Sequence, residues 1–503
     1  MFFENKRFFP RQRALLVSLI VISWAVGAFF IALLTEGFIY IGILFYVFKT
    51  ALALSALSSS VPYSTRGSWV FLILTFPYAA IPAYLYFRRT SLSGKEKMLI
   101  EETRRQKPKI EAFEKKILLK CNDNFTFLRE IAAYSNSNIY SDTSAKYFSL
   151  AEDMFLSLKE ELRNAKRFIF LEFYTVSAGT VLSEILDILV EKAGLGVEVK
   201  ILYDEIGSLF KIPEDFAKIM KRSKIEARFS SSLFAAFPKG VNNRNHRKII
   251  VIDGEIAYTG GINLADEYVY SKRRLGKWKD AGVRIEGVGV TSLTHTFLSD
   301  FVFAGGECDS FSKYYKYRKK KSSGYSLIFD DGPYPIYDEK ISERMILSLI
   351  DASEKSFILT SPYLIFSSRI LSAVRGAVKR GVKVKIIIPA VPDKLLTAIL
   401  THRYADRLCE IGARVYMYLP GFLHSKIYSA DGKFAMCGTV NLDYRSLRHN
   451  FENGILFLEH PVIADIDKDL ESILKECAPY KVKKKNPIVR LIGALLEIFA
   501  PLF

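Results

Sequence analysis

Two short segments of the chain carry the same reactive side chains at the same spacing. Each contains a histidine, a lysine and an aspartate in the pattern H-x-K-x4-D, and the second copy begins 178 residues after the first (424 − 246). The six residues are His246, Lys248, Asp253, His424, Lys426 and Asp431. Seven residues after each aspartate comes a glycine, followed by Gly261 or Thr439 and then by Asn263 or Asn441. Each copy thus offers an imidazole and an ammonium group, with glycines and an asparagine amide nearby that are suited to holding an oxyanion.

The surrounding residues predict that each copy lies at the end of a β-strand. Histidine and lysine at positions i and i+2 point the same way in a strand, because side chains alternate between faces. The runs IIVI and IYSA that follow are typical of strands, and the Asp-Gly after each predicts a tight turn into a hairpin partner. A lone H-x-K is more often structural, but two copies matched at five or more positions indicate an active site.

The elements around the two copies occur in the same order, which indicates an internally duplicated domain. We expect strand, helix, strand, helix and strand in each half. The segments are 168–173, 181–193, 197–203, 213–222 and 225–229 in the first half, and 357–360, 367–380, 382–388, 395–411 and 414–418 in the second. Alternating strands and helices predict an α/β fold. Two such units predict a pseudo-twofold arrangement with the active site between them.

The composition indicates attachment to a membrane beside an anionic surface. The chain has 503 residues, of which 50% are hydrophobic, and its 71 Lys and Arg exceed its 53 Asp and Glu by 18. Such a basic balance favours an anionic lipid surface or nucleic acid as a partner. The five cysteines are scattered without a C-x-x-C pair, which predicts no disulfide framework and no zinc site and fits a reducing compartment.

The N-terminal region predicts the membrane anchor. Residues 14–34 carry no charge over 21 positions, about 31 Å as a helix and enough to cross a bilayer. Apolar runs also cover 38–57 and 69–87, the last broken by two prolines, so we expect two or three spans. Basic clusters flank this region at both ends, and the heavier one lies on its C-terminal side. We therefore expect a multi-pass protein with its catalytic body in the cytoplasm.

Two further segments have two interpretations each. The basic aromatic run 313–321 is either a solvated loop or a contact for anionic headgroups, with nucleic-acid binding a further possibility. The C-terminal segment after the lysines is either an interfacial amphipathic helix or a terminal helix docked on the body. The expected regions are an anchor (1–90), a polar connector (91–135), the first half (136–310), a basic linker (311–340), the second half (341–480) and a basic tail (481–503).

The paired motifs, each followed by G-[GST]-x-N, resemble the phospholipase D superfamily. Within it, the chain is most similar to the bacterial cardiolipin synthases. The similarity extends over nearly the whole chain and is carried by GGINLADEY (260–268), KWKDAGVRIEG (277–287), FLHSK (422–426), GTVNLDYRSLRHNFE (438–452) and the closing APLF. It implies the duplicated phospholipase D fold, two α/β sandwich halves related by a pseudo-twofold axis, here preceded by transmembrane helices.

The chemistry implied by the resemblance is phosphatidyl transfer without a metal or another cofactor. One histidine attacks the phosphodiester phosphorus and forms a phosphohistidine, while the other protonates the leaving alkoxide and later deprotonates the incoming hydroxyl. We assign His246 as the nucleophile and His424 as the acid and base, with the opposite order left open. An imidazole with its ordinary pKa of about 6.5 suits both roles.

The resemblance also implies roles for the residues around the histidines. The residues expected to bind phosphate oxygens are Lys248, Lys426, Asn263, Asn441 and, through its hydroxyl, Thr439. Asp280 is expected to orient His246, and Glu452 is expected to orient His424. The motif carboxylates Asp253 and Asp431 belong to the catalytic set by pattern, but we expect them to brace loops. The histidines outside the motifs are read as structural: His295, His402, His449 and His460.

The resemblance predicts a membrane-embedded cardiolipin synthase that joins two phosphatidylglycerol molecules and releases glycerol. One alternative keeps the chemistry and changes the acceptor to water, another alcohol or another phospholipid headgroup. A second alternative is a non-catalytic lipid-binding scaffold, although both motifs are intact. No nucleic-acid partner is expected, because the nucleases of the superfamily need no membrane anchor. The sequence indicates neither the acceptor nor the oligomeric state.

Overall fold

The structure is a computed structural model that describes seven stretches of the chain. These are residues 39–58, 63–87, 94–108, 123–230, 243–269, 275–482 and 486–502. The first predicted membrane span, 14–34, lies outside the described residues.

Helices precede the catalytic body. They are α1 (Ile39–Ser58), α2 (Tyr63–Thr75), α3 (Pro77–Phe87), α4 (Gly94–Arg105) and α5 (Asp123–Ser135). The third apolar run is divided into α2 and α3, because Pro77 begins a new helix at a position where its missing N–H is not needed. Within the described ranges, no helix is both long and apolar enough to cross a membrane. The predicted spans 38–57 and 69–87 are therefore not confirmed.

The first half is built on a seven-stranded sheet. Before it, β1 (Ile139–Tyr140) pairs with a strand of the second half. The strands of the first half are β2 (Thr143–Phe148), β3 (Phe168–Phe173), β4 (Glu198–Asp204), β5 (Ile225–Ser230), β6 (Ile249–Ile252), β7 (Ile256–Gly260), β8 (Lys277–Lys279) and β9 (Gly282–Gly287). The sheet has the order β2-β9-β7-β6-β3-β4-β5, with β3, β4 and β5 parallel and the other pairings antiparallel.

Helices cover this sheet and bury one apolar face each. They are α6 (Ala151–Asn164), α7 (Thr180–Gly194), α8 (Phe216–Arg222) and α9 (Val290–Phe303), with short 3-10 turns at Asp266–Tyr268 and Phe311–Tyr314. In α7, Leu182, Ile185 and Leu189 are buried at helical spacing, as the sequence predicted.

The second half contains the remaining strands and helices. Its strands are β10 (Tyr325–Asp331), β11 (Ser356–Thr360), β12 (Leu364–Ile365), β13 (Lys383–Pro389), β14 (Arg414–Tyr418), β15 (Gly421–Leu423), β16 (Ile427–Ala430), β17 (Phe434–Gly438), β18 (Leu442–Asp443), β19 (Glu452–Leu458) and β20 (Cys477–Pro479). Its helices are α10 (Ile341–Ala352), α11 (Ser368–Lys379), α12 (Leu395–Glu410), α13 (Tyr444–Arg448) and α14 (Val462–Lys475), followed by α15 (Pro487–Phe499) and a 3-10 turn at Ala500–Leu502.

The strand orders show the duplication directly. The second sheet runs β1-β10-β19-β17-β16-β11-β13-β14-β20, so β19 to β14 repeat the order of β9 to β5 in the first sheet. Buried side chains from both sheets, including Phe170, Val251, Ile427 and Phe457, form one hydrophobic cluster. The halves therefore share a core, and their relative position is fixed by packing as well as by the chain connection.

The region predicted as a basic linker differs from that expectation in its second part. Residues Tyr325–Asp331 form β10, which pairs along its whole length with β19 and so belongs to the second sheet. The basic side chains of the preceding run are exposed, whereas its Tyr314 is buried, and Lys320 forms an ion pair with Glu286 at 2.7 Å. Contact of this run with anionic headgroups stays a prediction.

The last helix is docked on the body and keeps an exposed apolar face. Glu497 of α15 pairs with Arg403 at 2.7 Å and also with Arg407. On the other side of this helix, Ile488 and Leu491 are 66% and 62% exposed. The docked arrangement is therefore present, and contact of the exposed face with a membrane interface stays a prediction.

Asp253 and Asp431 brace the turns that follow β6 and β16. Both have a φ of +57°. The Asp253 carboxylate accepts hydrogen bonds from the backbone N–H groups of residues 166–168, and Asp431 does the same for residues 354–356, at 2.7–2.9 Å. Since His246 precedes β6 and Asp253 follows it, the two residues lie at opposite ends of that strand. The motif aspartates therefore position the strands rather than contact the reacting atoms.

Candidate active site

Each motif histidine is held by a carboxylate from the other half. His246 Nδ1 lies 2.9 Å from Glu452 Oε2, and His424 Nδ1 lies 2.6 Å from Asp280 Oδ2. The structure thus brings together all four residues, but the predicted pairing of Asp280 with His246 and of Glu452 with His424 is wrong.

The exchange of partners follows from backbone pairing between the halves. Strand β15, which leads into His424, runs parallel to β8, and the His424 N–H donates to Lys279 O at 2.7 Å. On the other side, the His246 N–H donates to Phe451 O at 2.9 Å. Asp280 and Glu452 are the next residues after these two acceptors. Each carboxylate is therefore delivered to the histidine across the interface.

Both imidazoles are oriented with Nε2 available for chemistry. A histidine whose Nδ1–H donates to a carboxylate keeps its lone pair on Nε2. No hydrogen bond to Nε2 of His246 or His424 is formed by the part of the chain that the structure describes. The ring of Tyr174 packs 5.1 Å from the His246 ring, and that of Trp278 packs 5.4 Å from the His424 ring, as centroid distances. These aromatic walls restrict rotation of the imidazoles.

The two motif lysines lie beside their histidines but differ in their contacts. Lys248 Nζ donates to His246 O at 2.6 Å. Lys426 Nζ donates to His424 O, and it also lies 2.7 Å from His424 Nδ1 and 3.7 Å from Asp280 Oδ2. Burial lowers the pKa of Lys248 to about 7, against the opposing effect of Glu452. Both ammonium groups belong to the same buried charge cluster as the histidines.

The residues after the motifs are used differently in the two halves. The Thr439 hydroxyl donates to the Glu452 carboxylate, so it holds the carboxylate that orients His246. Asn263 Oδ1 accepts from the Thr175 N–H at 3.1 Å, and its amide donates to the Tyr268 hydroxyl. Among the described residues, the buried Oδ1 of Asn441 has no hydrogen-bond partner.

Gly261 occupies the place in the first half that Thr439 occupies in the second. The Gly261 N–H donates to Ala281 O just as the Thr439 N–H donates to Asn453 O, both at 3.0 Å. A Cβ atom at Gly261 would lie 2.1 Å from Asp280 Oδ1. The glycine therefore leaves the space that the shorter carboxylate needs.

The electrostatics of the site keep its imidazoles neutral and its carboxylates ionised at neutral pH. Burial lowers the pKa of His246 to about 4, and burial together with the cation of Lys426 lowers that of His424 to about 3. Burial alone would raise the pKa of Asp280 and Glu452. The cation of Lys426 outweighs the effect of burial and lowers the pKa of Asp280. Interactions with His246 do the same for the pKa of Glu452. The ordinary histidine pKa expected from the sequence is thus shifted downwards.

A buried polar network supports the site from below. Lys279, adjacent to Asp280, pairs with Asp469 of the second half at 2.8 Å. Asn245, adjacent to His246, donates to Glu172 at 2.6 Å. These contacts fix the backbone next to Asp280 and next to His246. Within the described ranges, no group of three or more His, Cys, Asp or Glu side chains is arranged to hold a metal ion.

Sequence reasoning missed several residues of the site. Tyr174 is brought to His246 by packing, and no local pattern marked it; Trp278 lies in the segment KWKDAGVRIEG, but it was given no role there. Arg244 could have been found, because it lies two residues before His246 and continues the same strand-like alternation.

The family comparison matches both halves of the chain. A family model described as "Cardiolipin synthase, PLD-like domain" matches residues 158–281 and 346–474, each of which contains one motif. A protein of Halalkalibacterium halodurans named cardiolipin synthase is 32% identical over 469 residues, covering 89% of this chain and 89% of that protein. Cardiolipin synthase 1 of Staphylococcus aureus is 31% identical over 458 residues, covering 86% of this chain and 92% of that protein.

A solved structure supports the fold. The crystal structure of phosphatidylserine synthase from Haemophilus influenzae aligns with a TM-score of 0.57 at 15% identity, over 74% of this chain and 97% of that one. At this identity the likeness concerns the fold alone. It agrees with the duplicated α/β architecture described above.

Replacing Gly261 by alanine tests the dependence of His424 on Asp280. The added Cβ would displace the Asp280 carboxylate, and we expect turnover to fall by about 100-fold, as for a catalytic group misplaced by about 1 Å. The measurement is the initial rate of lipid product formation by the purified variant. Gly376→Ala is the matched control, because a Cβ there meets nothing closer than 3.7 Å. A Gly261→Ala rate close to that of the wild type would contradict this account.

The buried histidines predict a loss of stability as the pH falls from 6.5 towards 4. His246, His295 and His449 each have a pKa of about 4 and His424 of about 3, all lowered chiefly by burial from the ordinary 6.5. The unfolded chain therefore binds more protons in this window, and each histidine removes about 1.4 kcal/mol of stability per pH unit. Thermal unfolding measured from pH 7.5 to 4.5 should show the decline, and His295→Gln should make it shallower. A melting temperature that is constant across this range would show that the histidines are not held neutral.

Proposed function

This chain belongs to the cardiolipin synthase family of phospholipase D-like phosphatidyltransferases, and on that premise we propose that it joins two phosphatidylglycerol molecules and releases glycerol. The observation that carries the proposal is the pair of motif imidazoles held between the two halves. Each is locked by a carboxylate from the other half and presents Nε2. Two such groups are what a two-step displacement at phosphorus requires, one for the nucleophile and one for the proton transfers.

In the first step, the lone pair of His246 Nε2 attacks the phosphorus of the donor phosphatidylglycerol. The bond from phosphorus to the glycerol oxygen breaks, and protonated His424 gives its Nε2 proton to the leaving alkoxide. In the second step, a hydroxyl of the acceptor phosphatidylglycerol attacks the phosphohistidine, and His424 takes its proton. The P–N bond breaks, and the electron pair returns to His246.

The arrangement of the lysines favours this assignment of the two histidines. Lys426 lies against the His424 ring, whereas Lys248 donates to the backbone carbonyl of His246. A neighbouring cation makes an imidazolium release its proton more readily, which suits the acid. An anionic phosphodiester entering the site raises the pKa of His424 towards the value at which it holds that proton. Lys248 and Lys426 supply the positive charge that stabilises the non-bridging oxygens.

The alternative acceptor is water or another alcohol, and the same geometry serves it. Nothing in the positions of the two histidines distinguishes an incoming phosphatidylglycerol hydroxyl from water. The proposal of a second phosphatidylglycerol rests on the named relatives. The acceptor is therefore what the decisive experiment must identify.

We further propose that the protein is anchored in the cell membrane by its N-terminal segments, with its catalytic body in the cytoplasm. Apolar side chains on two helices are exposed in a way that favours a lipid neighbour: Leu44 is 70% and Val47 60% exposed on α1, and α15 shows a similar face. The four cysteines in the described part of the chain are free, which fits a reducing compartment.

Product analysis tests the proposed reaction. The purified protein is incubated with vesicles containing phosphatidylglycerol labelled with ³²P, and the lipids are identified by mass spectrometry. We expect cardiolipin and one glycerol per cardiolipin, and an acid-labile ³²P label on the protein. His246→Ala should abolish both cardiolipin and the label. Phosphatidic acid as the sole product would show that water is the acceptor, and a label that persists in His246→Ala would assign the nucleophile to another residue.

Membrane attachment is tested by washing isolated membranes with alkaline carbonate. An anchored chain stays in the pellet, whereas release into the supernatant would contradict the anchor. In intact cells stripped of their wall, external protease should leave the catalytic body uncut. Cleavage within the body would place it outside the cell.

A further inference from the structure

Arg244 is a buried cation whose guanidinium is not saturated by the described part of the chain. Its side chain is among the largest fully buried ones, at 1% exposure. Within the described part of the chain, Nε, Nη1 and Nη2 have no hydrogen-bond partner. Its one ion-pair contact is Asp204, at 3.5 Å from Nη1. Leaving desolvated guanidinium donors without acceptors costs stability. A buried arginine of this kind is therefore expected where a ligand supplies the missing acceptors.

The neighbouring Arg247 shows what a structural arginine looks like in the same segment. It is equally buried, and its guanidinium donates to Glu452 O, to Asp331 O and to the Asp300 carboxylate. Every nitrogen of that side chain has an acceptor. Arg247 thus uses all of its donors within the protein, whereas Arg244 has donors without an acceptor in the described structure.

The carboxylate next to Arg244 does not saturate the Arg244 guanidinium. Asp204 is already engaged by the backbone, because it accepts hydrogen bonds from the Gly207 N–H at 2.9 Å and from the Asn245 N–H at 3.0 Å. Arg445, from the second half, is close enough to lower the pKa of Arg244 through charge repulsion, although burial is the larger cause. The single ion pair with Asp204 thus leaves guanidinium donors of Arg244 without an acceptor in the described structure, which favours the binding of a further anion.

Arg244 stands next to the proposed nucleophile. Asn245 forms a parallel bridge with Phe451, and Arg244 and His246 flank it. Two residues of extended chain span about 6.6 Å and place both side chains on one face. Tyr174 lies against the His246 ring. An anion at Arg244 would therefore lie a short distance from a phosphoryl group on His246.

We propose that Arg244 binds the phosphodiester of the acceptor lipid and thereby selects a phosphoglycerol acceptor over water and uncharged alcohols. This inference rests on the proposed function. In the second step, the acceptor glycerol links its attacking hydroxyl to its own phosphate through three carbons, which suits two anion sites that are neighbours along the strand. Water and glycerol carry no phosphate and gain nothing from Arg244.

Soluble acceptors test the inference in the full-length protein. Phosphatidylglycerol in nonionic detergent micelles serves as donor, with either glycerophosphoglycerol or deuterated glycerol as acceptor. Both acceptors offer the same type of hydroxyl, but one of them carries a phosphodiester. We expect the wild type to be half-saturated by glycerophosphoglycerol at a concentration at least tenfold lower than by glycerol. Arg244→Gln should bring that ratio close to one and raise the share of phosphatidic acid, and Arg244→Lys should retain part of the preference.

The matched control is Arg228→Gln, which removes an arginine from β5 that pairs with Glu226 at 3.0 Å, outside the site. This variant should keep the wild-type preference. A wild type without preference, or an Arg244→Gln variant that keeps it, would overturn the inference. An equal loss of transfer to water, glycerol and glycerophosphoglycerol in Arg244→Gln would also overturn the inference, because it would show that Arg244 acts in donor binding or in folding rather than on the acceptor.

Failure of the inference is distinguishable from failure of the proposed function. Cardiolipin formation from phosphatidylglycerol by the wild type tests the function, and the preference between the two soluble acceptors tests the role of Arg244. If Arg244→Gln does not fold, the wild-type preference and the Arg244→Lys variant decide the question.

Discussion

The active site depends on two hydrogen bonds that cross the pseudo-twofold interface, from His246 to Glu452 and from His424 to Asp280. Each half supplies a histidine that it cannot orient and a carboxylate for which it has no histidine. Neither half alone is therefore a complete site. The shared hydrophobic core between the sheets keeps the halves at the distance at which these bonds form. A small shift between the halves would disturb both imidazoles at once.

Burying two histidines, two lysines and two carboxylates in one cluster is costly, and the structure offsets this through polar contacts from several directions. The lysines donate to the backbone carbonyls of the histidines they follow, which ties the charges to the strands. Thr439 supplies a further hydrogen bond to Glu452. A cluster satisfied in this way keeps its geometry without substrate, and a preorganised site spends less free energy on reorganisation during the reaction.

The sequence predicted the parts of this arrangement that are local, and failed where the answer depends on tertiary structure. The strand positions, the hairpins and the duplication follow from periodicity and from the repeated motif, and the strand orders confirm them. The partner of each histidine could not be read in this way. Asp280 is closer to His246 in sequence, but β8 pairs with β15, so Asp280 lies beside His424. The strand at Tyr325–Asp331 was missed for a similar reason, because it follows a basic run that indicated a linker.

The two halves are duplicated in backbone but differ in their side-chain contacts, and the differences lie at the positions that follow the motifs. The first half combines a glycine with the shorter Asp280, and the second combines Thr439 with the longer Glu452, so each carboxylate reaches its histidine by a different route. Asn263 is fully engaged, whereas a buried oxygen of Asn441 is unpaired in the described structure. The proposed two-step transfer divides two tasks between the imidazoles, since one binds phosphorus while the other moves the proton, and these differences give the two histidines different surroundings for those tasks.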